Sequence, residues 1–428
     1  MALAYVIFSC QQCKEQYLPR RPGLSKNKPI SIPVTELRLG LTVKLPLSWT
    51  EHPFLINRIE LKEQAQIDMI RALKVSHVLV LAGAELLDAD VPKEEVTLED
   101  DDDGGEELHE RDHRFEARVA IRNSQRRFLT CVNEARTLVS KLGSDPEGAY
   151  RVSATLVEQM LEHLFEFEEA YLALVSSGDA GPSITQHGIS VAVLSLMIAK
   201  VLDLPKKEMR DIALGALLHD IGKLKVPDNI RRKRGALTPQ EQNFINQHPN
   251  YGHEMLSRSG LFPEAVLHIV RHHHEFIDGT GFPDGLTAKK MPLTTQIVAL
   301  ANDFEFQLTA LSIASPQVAL GYLFKNRAGK HDEMLISTLV KVLGIYPPGT
   351  LVQLSDGSVG KVMMTTREVK QPKVWSCNSA GGDAGLRLLI NEDVSIDRVL
   401  KVEELSEAAM RTLQAEAPIN FYFAALEA

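Results

Sequence analysis

Apolar residues recur every three or four positions through the middle of the chain and alternate with polar ones towards both ends. From about Phe115 to Leu343 the helical spacing is almost unbroken. Leu156, Met160, Leu161 and Leu164 form one face; Val191, Leu194, Met197, Ile198 and Val201 a second; Ile212, Leu214, Leu217 and Leu218 a third. Thr238-Pro239-Gln240-Glu241 has the Thr-x-x-Glu form of a capping box with proline at the first helical position. The spacing therefore predicts a helix that starts at Thr238 and carries His248 about three turns later. Pro263 opens another helix that runs to the histidines at 272. Residues 115–345 thus read as an all-helical bundle of roughly six to eight helices.

On either side the period changes. Ile32, Val34 and Leu37, then Thr42 to Leu45 and Trp49, predict short strands; Glu63 to Leu73 reads as a helix and Val78 to Leu81 as a closing strand. Residues 30–90 are then a small α+β domain, preceded by a disordered extension, 1–29, with prolines and no periodicity. After Pro347-Pro348-Gly349 come Leu351 to Leu354, an Asp356-Gly357 turn, Val359 to Met363 and Leu386 to Ile390, with a helix over Ser406 to Glu416. Residues 346–428 read as a β-hairpin-containing C-terminal appendage. The fold class is mainly α with two small β-containing ends.

Charge sharpens one boundary. The 428 residues carry 47 Lys+Arg and 56 Asp+Glu, a formal charge of −9. Ten of those acids lie between Glu94 and Glu110 without a Lys or Arg among them, and without them the charge is +1. Residues 91–114 therefore read as a self-repelling acidic linker. The remainder is near neutral, which argues against a large basic surface for duplex nucleic acid. Four cysteines are too few and too scattered for a disulfide framework, and Cys10-x-x-Cys13 reads as part of a weakly structured leader. No basic n-region precedes the apolar start, and the apolar run Val191 to Leu202 contains Lys200, so it reads as a core helix and not a membrane span. A cytoplasmic protein is expected.

The candidate chemistry is histidine-rich. His272-His273-His274 is followed by Glu275 and Asp278, and upstream stand His187, His219-Asp220 and His248, each at or near a predicted helix end. Imidazoles and carboxylates on facing helices are how bundles hold Fe, Mn or Zn. The adjacent His-Asp pair suits two metals, with His219 on one ion and the two oxygens of Asp220 bridging both. His52, His77, His109, His113, His163, His253, His268 and His331 are assigned to ordinary core or surface positions, and His272 is left open.

His187, His219-Asp220-Ile221-Gly222-Lys223, His248 and His273-His274-Glu275-x-x-Asp278-Gly279-Thr280-Gly281-Phe282-Pro283-Asp284-Gly285 resemble the HD-GYP phosphodiesterases, a branch of the HD metal-dependent phosphohydrolases. The similarity runs from about residue 180 to 345, and residues 30–85 are similar to the small domain that often precedes such modules. The resemblance implies an HD-type helical bundle and two divalent metal ions per chain, Fe or Mn first and Zn or Ni next. The implied metal ligands are His187, His219, Asp220, His248, His273, His274 and Asn302, with Asp303 as the alternative to Asn302. The implied reaction is hydrolysis of cyclic di-GMP to pGpG or GMP by a metal-bridging hydroxide, with Asp220 and Lys223 in catalytic roles. Lys223, one turn after Asp220, is placed to offer a cation to a phosphate oxygen. Asp278, Gly279, Gly281, Phe282 and Pro283 would form the rim of the substrate pocket. Diguanylate cyclase (GGDEF) domains and a second copy of the chain are the candidate protein partners.

Four departures from the family pattern matter. Phe282 stands where the family has tyrosine, Asn302 where it has an aspartate ligand, Leu311 and Ala314 where it has phosphate-binding bases, and Ser183 where trinuclear members have glutamate. Ser183 favours two metals over three. Phe282, Asn302, Leu311 and Ala314 keep a competing reading open, a degenerate domain that binds cyclic di-GMP or docks on a cyclase without turnover.

Overall fold

The computed structural model describes residues 30–45, 58–61, 75–83, 94–95, 105–166, 168–176, 183–231, 235–310 and 315–425, with single positions 64, 67, 70, 71, 87 and 233. The expected extension 1–29 with Cys10 and Cys13, the Trp49 to Phe54 stretch, Leu311 and Ala314 lie outside them. The chain forms two compact units, residues 1–103 and 104–428.

The first unit is a five-stranded antiparallel sheet. Its strands are β1 (Ile30–Pro33), β2 (Thr42–Lys44), β3 (Arg58–Glu60), β4 (His77–Ala82) and β5 (Glu94–Glu95), in the order β3-β2-β4-β1-β5. Ile32, Val43 and Val80 point to one side of it and pack with Leu41, Leu61, Ile67 and Ile70. Positions 64, 67, 70 and 71 are helical, and Ile67 and Ile70, three apart, face that core. Glu94 and Glu95, expected in a linker, pair with Ser31 and Ile30 instead.

In the second unit α1 (Gly105–Lys141) begins inside the expected linker, so residues 105–114 are helical. Then follow α2 (Pro146–Phe165), β6 (Tyr171–Val175), α3 (Ile184–Val201), α4 (Lys206–Leu218), a 3-10 turn (Ile221–Lys225) and α5 (Asp228–Arg231). Next come α6 (Pro239–Asn246), α7 (His248–Ser257), α8 (Glu264–His272), α9 (Leu293–Ala310), α10 (Pro316–Asn326) and α11 (Glu333–Leu343). The eleven helices exceed the expected six to eight because prolines cut the periodic stretch into shorter pieces. The capping box at Thr238 is present in full, but the helix it starts ends at Asn246, and His248 opens the next one with Pro249 behind it.

Helix α3 is long and apolar enough by composition to cross a membrane, yet 78% of it is buried inside the fold. It packs against α4, α9 and α11 and forms the middle of the helical core.

The C-terminal residues are rich in strands, as expected of the appendage, and their sheet also takes in a strand from the helical stretch. Strands β7 (Leu351–Leu354), β8 (Val359–Met364), β9 (Lys373–Cys377), β10 (Gly385–Leu388), β11 (Ile396–Val399) and β12 (Asn420–Ala424) join β6 in one seven-stranded sheet, and α12 (Glu407–Thr412) packs on it. Strand β12 pairs along β6, Asn420 with Val175 through Ala424 with Tyr171. Phe421, Tyr422 and Phe423 thereby enter the same core as α3 and α4. Tyr171-Leu-Ala-Leu-Val175 escaped detection because a five-residue apolar run between helices has no period of its own.

Candidate metal centre

The helix ends converge. His187 lies in the first turn of α3, His219 caps the C-terminus of α4 with Asp220 next to it, His248 opens α7, and His273 and His274 follow α8 directly. Carbonyls in a last helical turn have no backbone partner. Three histidines use that vacancy identically: Nδ1 of His219, His248 and His273 lies 2.7, 2.6 and 2.8 Å from the carbonyls of Ala216, Ile245 and Val270, three residues back in each case. A carbonyl only accepts, so Nδ1 carries the hydrogen and Nε2 presents a lone pair to the interior. Gly222 lets the turn after Asp220 press onto α7; a Cβ there would sit 1.9 Å from the His248 carbonyl.

Two groups of ligand-type atoms result, each with its atoms within 4.8 Å of one another, and Asp220 belongs to both. Its Oδ1 faces His248 Nε2 at 3.2 Å and His273 Nε2 at 3.8 Å, with His274 completing that group. Its Oδ2 faces His187 Nε2 at 3.5 Å and His219 Nε2 at 3.6 Å. Lys223 Nζ reaches the same Oδ2 at 2.5 Å, so the lysine does point into the centre.

The donor set fits a divalent cation. His219 Nε2 and His187 Nε2 are 3.0 Å apart, and so are His248 Nε2 and His273 Nε2. With the hydrogens on Nδ1, each pair brings two lone pairs face to face in a buried site. Asp220 Oδ1, also buried, has no hydrogen-bond partner; His248 approaches it with a lone pair, not a proton. Burial pushes the His219 ring down to about 3, and burial with the neighbouring imidazoles holds His273 and His274 well below the ordinary histidine value. These rings are neutral donors. Burial would raise the Asp220 carboxyl, but Lys223 and then His219 outweigh it and hold it well below the ordinary range, so it is a carboxylate. Neutral imidazoles and an ionised, partnerless oxygen converging on one space are a cation's coordination set.

On helix α9 the side chains of Asn302 and Asp303 point to different surroundings. Asn302 Oδ1 lies 3.0 Å from His187 Nε2, within the centre. Asp303 points away into its own network, taking bonds from Arg327 Nε at 2.8 Å, His331 Nε2 at 3.0 Å and Gln307 Nε2 at 2.9 Å. Sequence reasoning missed Glu305, which is buried and lies 2.5 Å from His187 Nδ1. Burial alone would depress the His187 ring, but Glu305, then Asp220, holds it above its usual value. Helical spacing puts position 305 one turn after 302, but the partner it meets is set by the packing of α3 on α9.

The rim loop is built around another missed residue. Glu275 is buried, and its carboxylate accepts from the backbone of Asp284 at 2.6 Å, Gly285 at 3.0 Å and Leu286 at 2.9 Å. Gly281 crosses Glu275 so closely that a Cβ would come within 2.4 Å of its Cα. Phe282 stacks on His274 with ring centroids 4.6 Å apart and 13° between planes, and the Phe282-Pro283 peptide is cis. Gly279 turns with φ +80°. Asp278, expected at the substrate, caps its own loop by accepting from Thr280 N at 2.9 Å and Thr280 Oγ1 at 2.7 Å. His272 turns outward to Asp284 Oδ2 at 3.0 Å.

The HD domain family matches residues 152–335, and a domain of unknown function (DUF3391) matches residues 29–152. The cyclic di-GMP phosphodiesterase PA4108 of Pseudomonas aeruginosa is 30% identical over 349 residues, 78% of this chain and 81% of that protein. The cyclic di-GMP phosphodiesterase response regulator RpfG of Xanthomonas campestris is 37% identical over 149 residues, covering 34% of this chain and 39% of its own. A solved HDG"Y"P protein of Bdellovibrio bacteriovorus superposes with a TM-score of 0.42 at 20% identity, over 73% of this chain and 98% of its own. With the family's histidines and aspartate gathered at one divalent-metal centre and a relative matched over most of its length, the chain belongs to the HD-GYP family of HD-domain proteins.

Proposed function

We propose that the centre holds two divalent cations and hydrolyses cyclic di-GMP, the substrate named for the two relatives above, to pGpG or GMP. The observation that carries the reading is the division of Asp220, whose two oxygens each face a separate set of histidine Nε2 atoms. One cation would be held by His187, His219 and Asn302, the other by His248, His273 and His274, with Asp220 shared. Two such ions supply a deprotonated water at neutral pH and neutralise the phosphodiester.

The chain's own residues do the rest. The Nδ1 bonds to backbone carbonyls fix three ring orientations before anything binds, so no reorganisation is needed at the moment of reaction. Lys223, about a third exposed, pairs with Asp220 Oδ2. With the centre loaded, its ammonium would serve a non-bridging phosphate oxygen. Phe282 keeps the His274 ring from swinging and, with the Glu275-anchored loop, covers one side of the centre. A phenol is not needed for that contact, so tyrosine is dispensable there. Iron and manganese suit the imidazole-rich set with one carboxylate, and zinc or nickel fit it next.

The test is chromatography of cyclic di-GMP incubated with chelator-stripped protein and with protein reloaded with Fe(II) or Mn(II). Linear product is expected only after reloading, and not from reloaded Asp220→Ala. If the reloaded protein binds cyclic di-GMP and leaves it intact, the chain is a receptor and the enzyme reading falls.

A further inference from the structure

We propose that the two halves of the centre load unequally: the half at Asp220 Oδ1 takes its cation first, and the half at Oδ2 is weak and depends on Glu305 as a positioning residue. This rests on the two-cation reading.

The halves differ in what already occupies them. Oδ1 is buried without a hydrogen-bond partner, and the groups beside it are the imidazoles of His248, His273 and His274. A cation arriving there displaces nothing and relieves a buried, unpaired carboxylate oxygen. Oδ2 is held by the Lys223 ammonium at 2.5 Å, so a cation in the other half must displace a like charge from its only carboxylate ligand. That half also has Asn302, a neutral oxygen, where a carboxylate would have helped.

Glu305 supplies the missing charge from outside the ligand shell. It is 4% exposed and accepts from His187 Nδ1 at 2.5 Å, which leaves Nε2 free for a metal and pushes electron density towards it. The other three histidines with a fixed Nδ1 donate to neutral backbone carbonyls. Among the described residues Glu305 is the one carboxylate bonded to a ligand histidine from behind. It lies on the half that is short of negative charge.

The experiment titrates Mn(II) into chelator-stripped full-length protein by calorimetry, with metal analysis after gel filtration as a second readout. The wild type is expected to bind in two steps, the second at least about tenfold weaker. Glu305→Gln, which keeps a hydrogen-bond acceptor and removes the charge, should leave the first step intact and weaken the second by about 10–100-fold. Glu305→Asp should restore part of it, and Asn302→Asp in the Glu305→Gln background should do the same from inside the shell. Lys223→Met, at a partly exposed residue that tolerates change, should tighten the second step and provides a reading even if the glutamate variants fold poorly. Equal affinities in the wild type, or a Glu305→Gln protein that loses both steps alike or neither, would overturn the proposal. A wild type that binds one cation or none sinks the two-cation reading itself, and the wild-type titration alone reveals it.

Discussion

Two polar clusters with histidine sit in the same helical unit, and they differ in one respect. In the first, between α1, α2 and β12, His163 Nδ1 lies 2.8 Å from the Tyr422 hydroxyl, which in turn lies 3.1 Å from Cys131 Sγ. One hydroxyl serves both neighbours, so a chain of neutral groups closes on itself. In the second, around Asp220, two pairs of Nε2 atoms face each other at 3.0 Å and a carboxylate oxygen is left without a partner. A buried polar group costs free energy unless it is paired. The closed cluster meets that cost internally and is architecture. The open one has the donors for a cation to meet it, and on the proposed function it is the reaction centre.

Removing the shared carboxylate should separate the clusters most sharply. Asp220→Asn is expected to cut turnover of cyclic di-GMP by about a thousandfold or more, because both halves lose their common anionic ligand. The melting temperature of the stripped protein should move by only a few degrees, since Lys223 is exposed enough to rehydrate. A stripped Asp220→Asn protein that unfolds far earlier than wild type would mean that this carboxylate is structural after all.

Metal itself gives the next largest contrast. At a hundred times the dissociation constant, Mn(II) should add about 2.7 kcal/mol to the stability of the stripped protein, read as a rise in melting temperature. The same rise is expected with Tyr422→Phe, and none with Asp220→Asn. In the other direction, Tyr422→Phe leaves His163 and Cys131 without partners and should cost about 1–3 kcal/mol. Turnover per loaded site should stay at the wild-type level. A loss of turnover there would tie the two clusters together.

The sequence announced the open cluster and was silent about the closed one, for a physical reason. His219-Asp220 and His273-His274 are dense in ligand-type side chains, and density of that kind is visible without a structure. His163 is an isolated ring on a periodic helix, and Tyr422 lies 259 residues away on a strand whose pairing with β6 leaves no mark in either segment. The same holds inside the centre. His187 and His248 could be placed near helix ends and Asn302 through the family resemblance, whereas Glu305 and Glu275 act through contacts that depend on how α3 meets α9 and how the rim loop folds back. Asp278 is ambiguous in sequence because an acid in a glycine-rich loop can serve a ligand or its own turn, and the structure adds its bonds to Thr280. The split of the long helix before His248 follows from Pro249, whose effect was readable but was outweighed by the capping box at Thr238.

The smallest expected effect concerns acid, and it tests whether the closed cluster is neutral. Burial, helped by Arg127, pushes the His163 ring down to about 4, while Glu166 acts weakly the other way. In the unfolded chain the same ring titrates near 6.5. A base whose value falls on folding stabilises the fold above the unfolded value and loses that contribution as pH drops towards the folded one. Below about 6.5 the unfolded state takes a proton that the native ring refuses, until both are protonated near 4. Because the ring is only half-buried, the loss over that window should be about 1–2 kcal/mol. His163→Gln keeps an acceptor for the Tyr422 hydroxyl and cannot titrate, so its melting temperature should fall less steeply from pH 6.5 to 4 than that of the wild type. The difference between the two slopes should be the same with and without Mn(II), since the cation binds only the other cluster. Parallel slopes would show that His163 is already charged in the fold, and that its cluster is not closed.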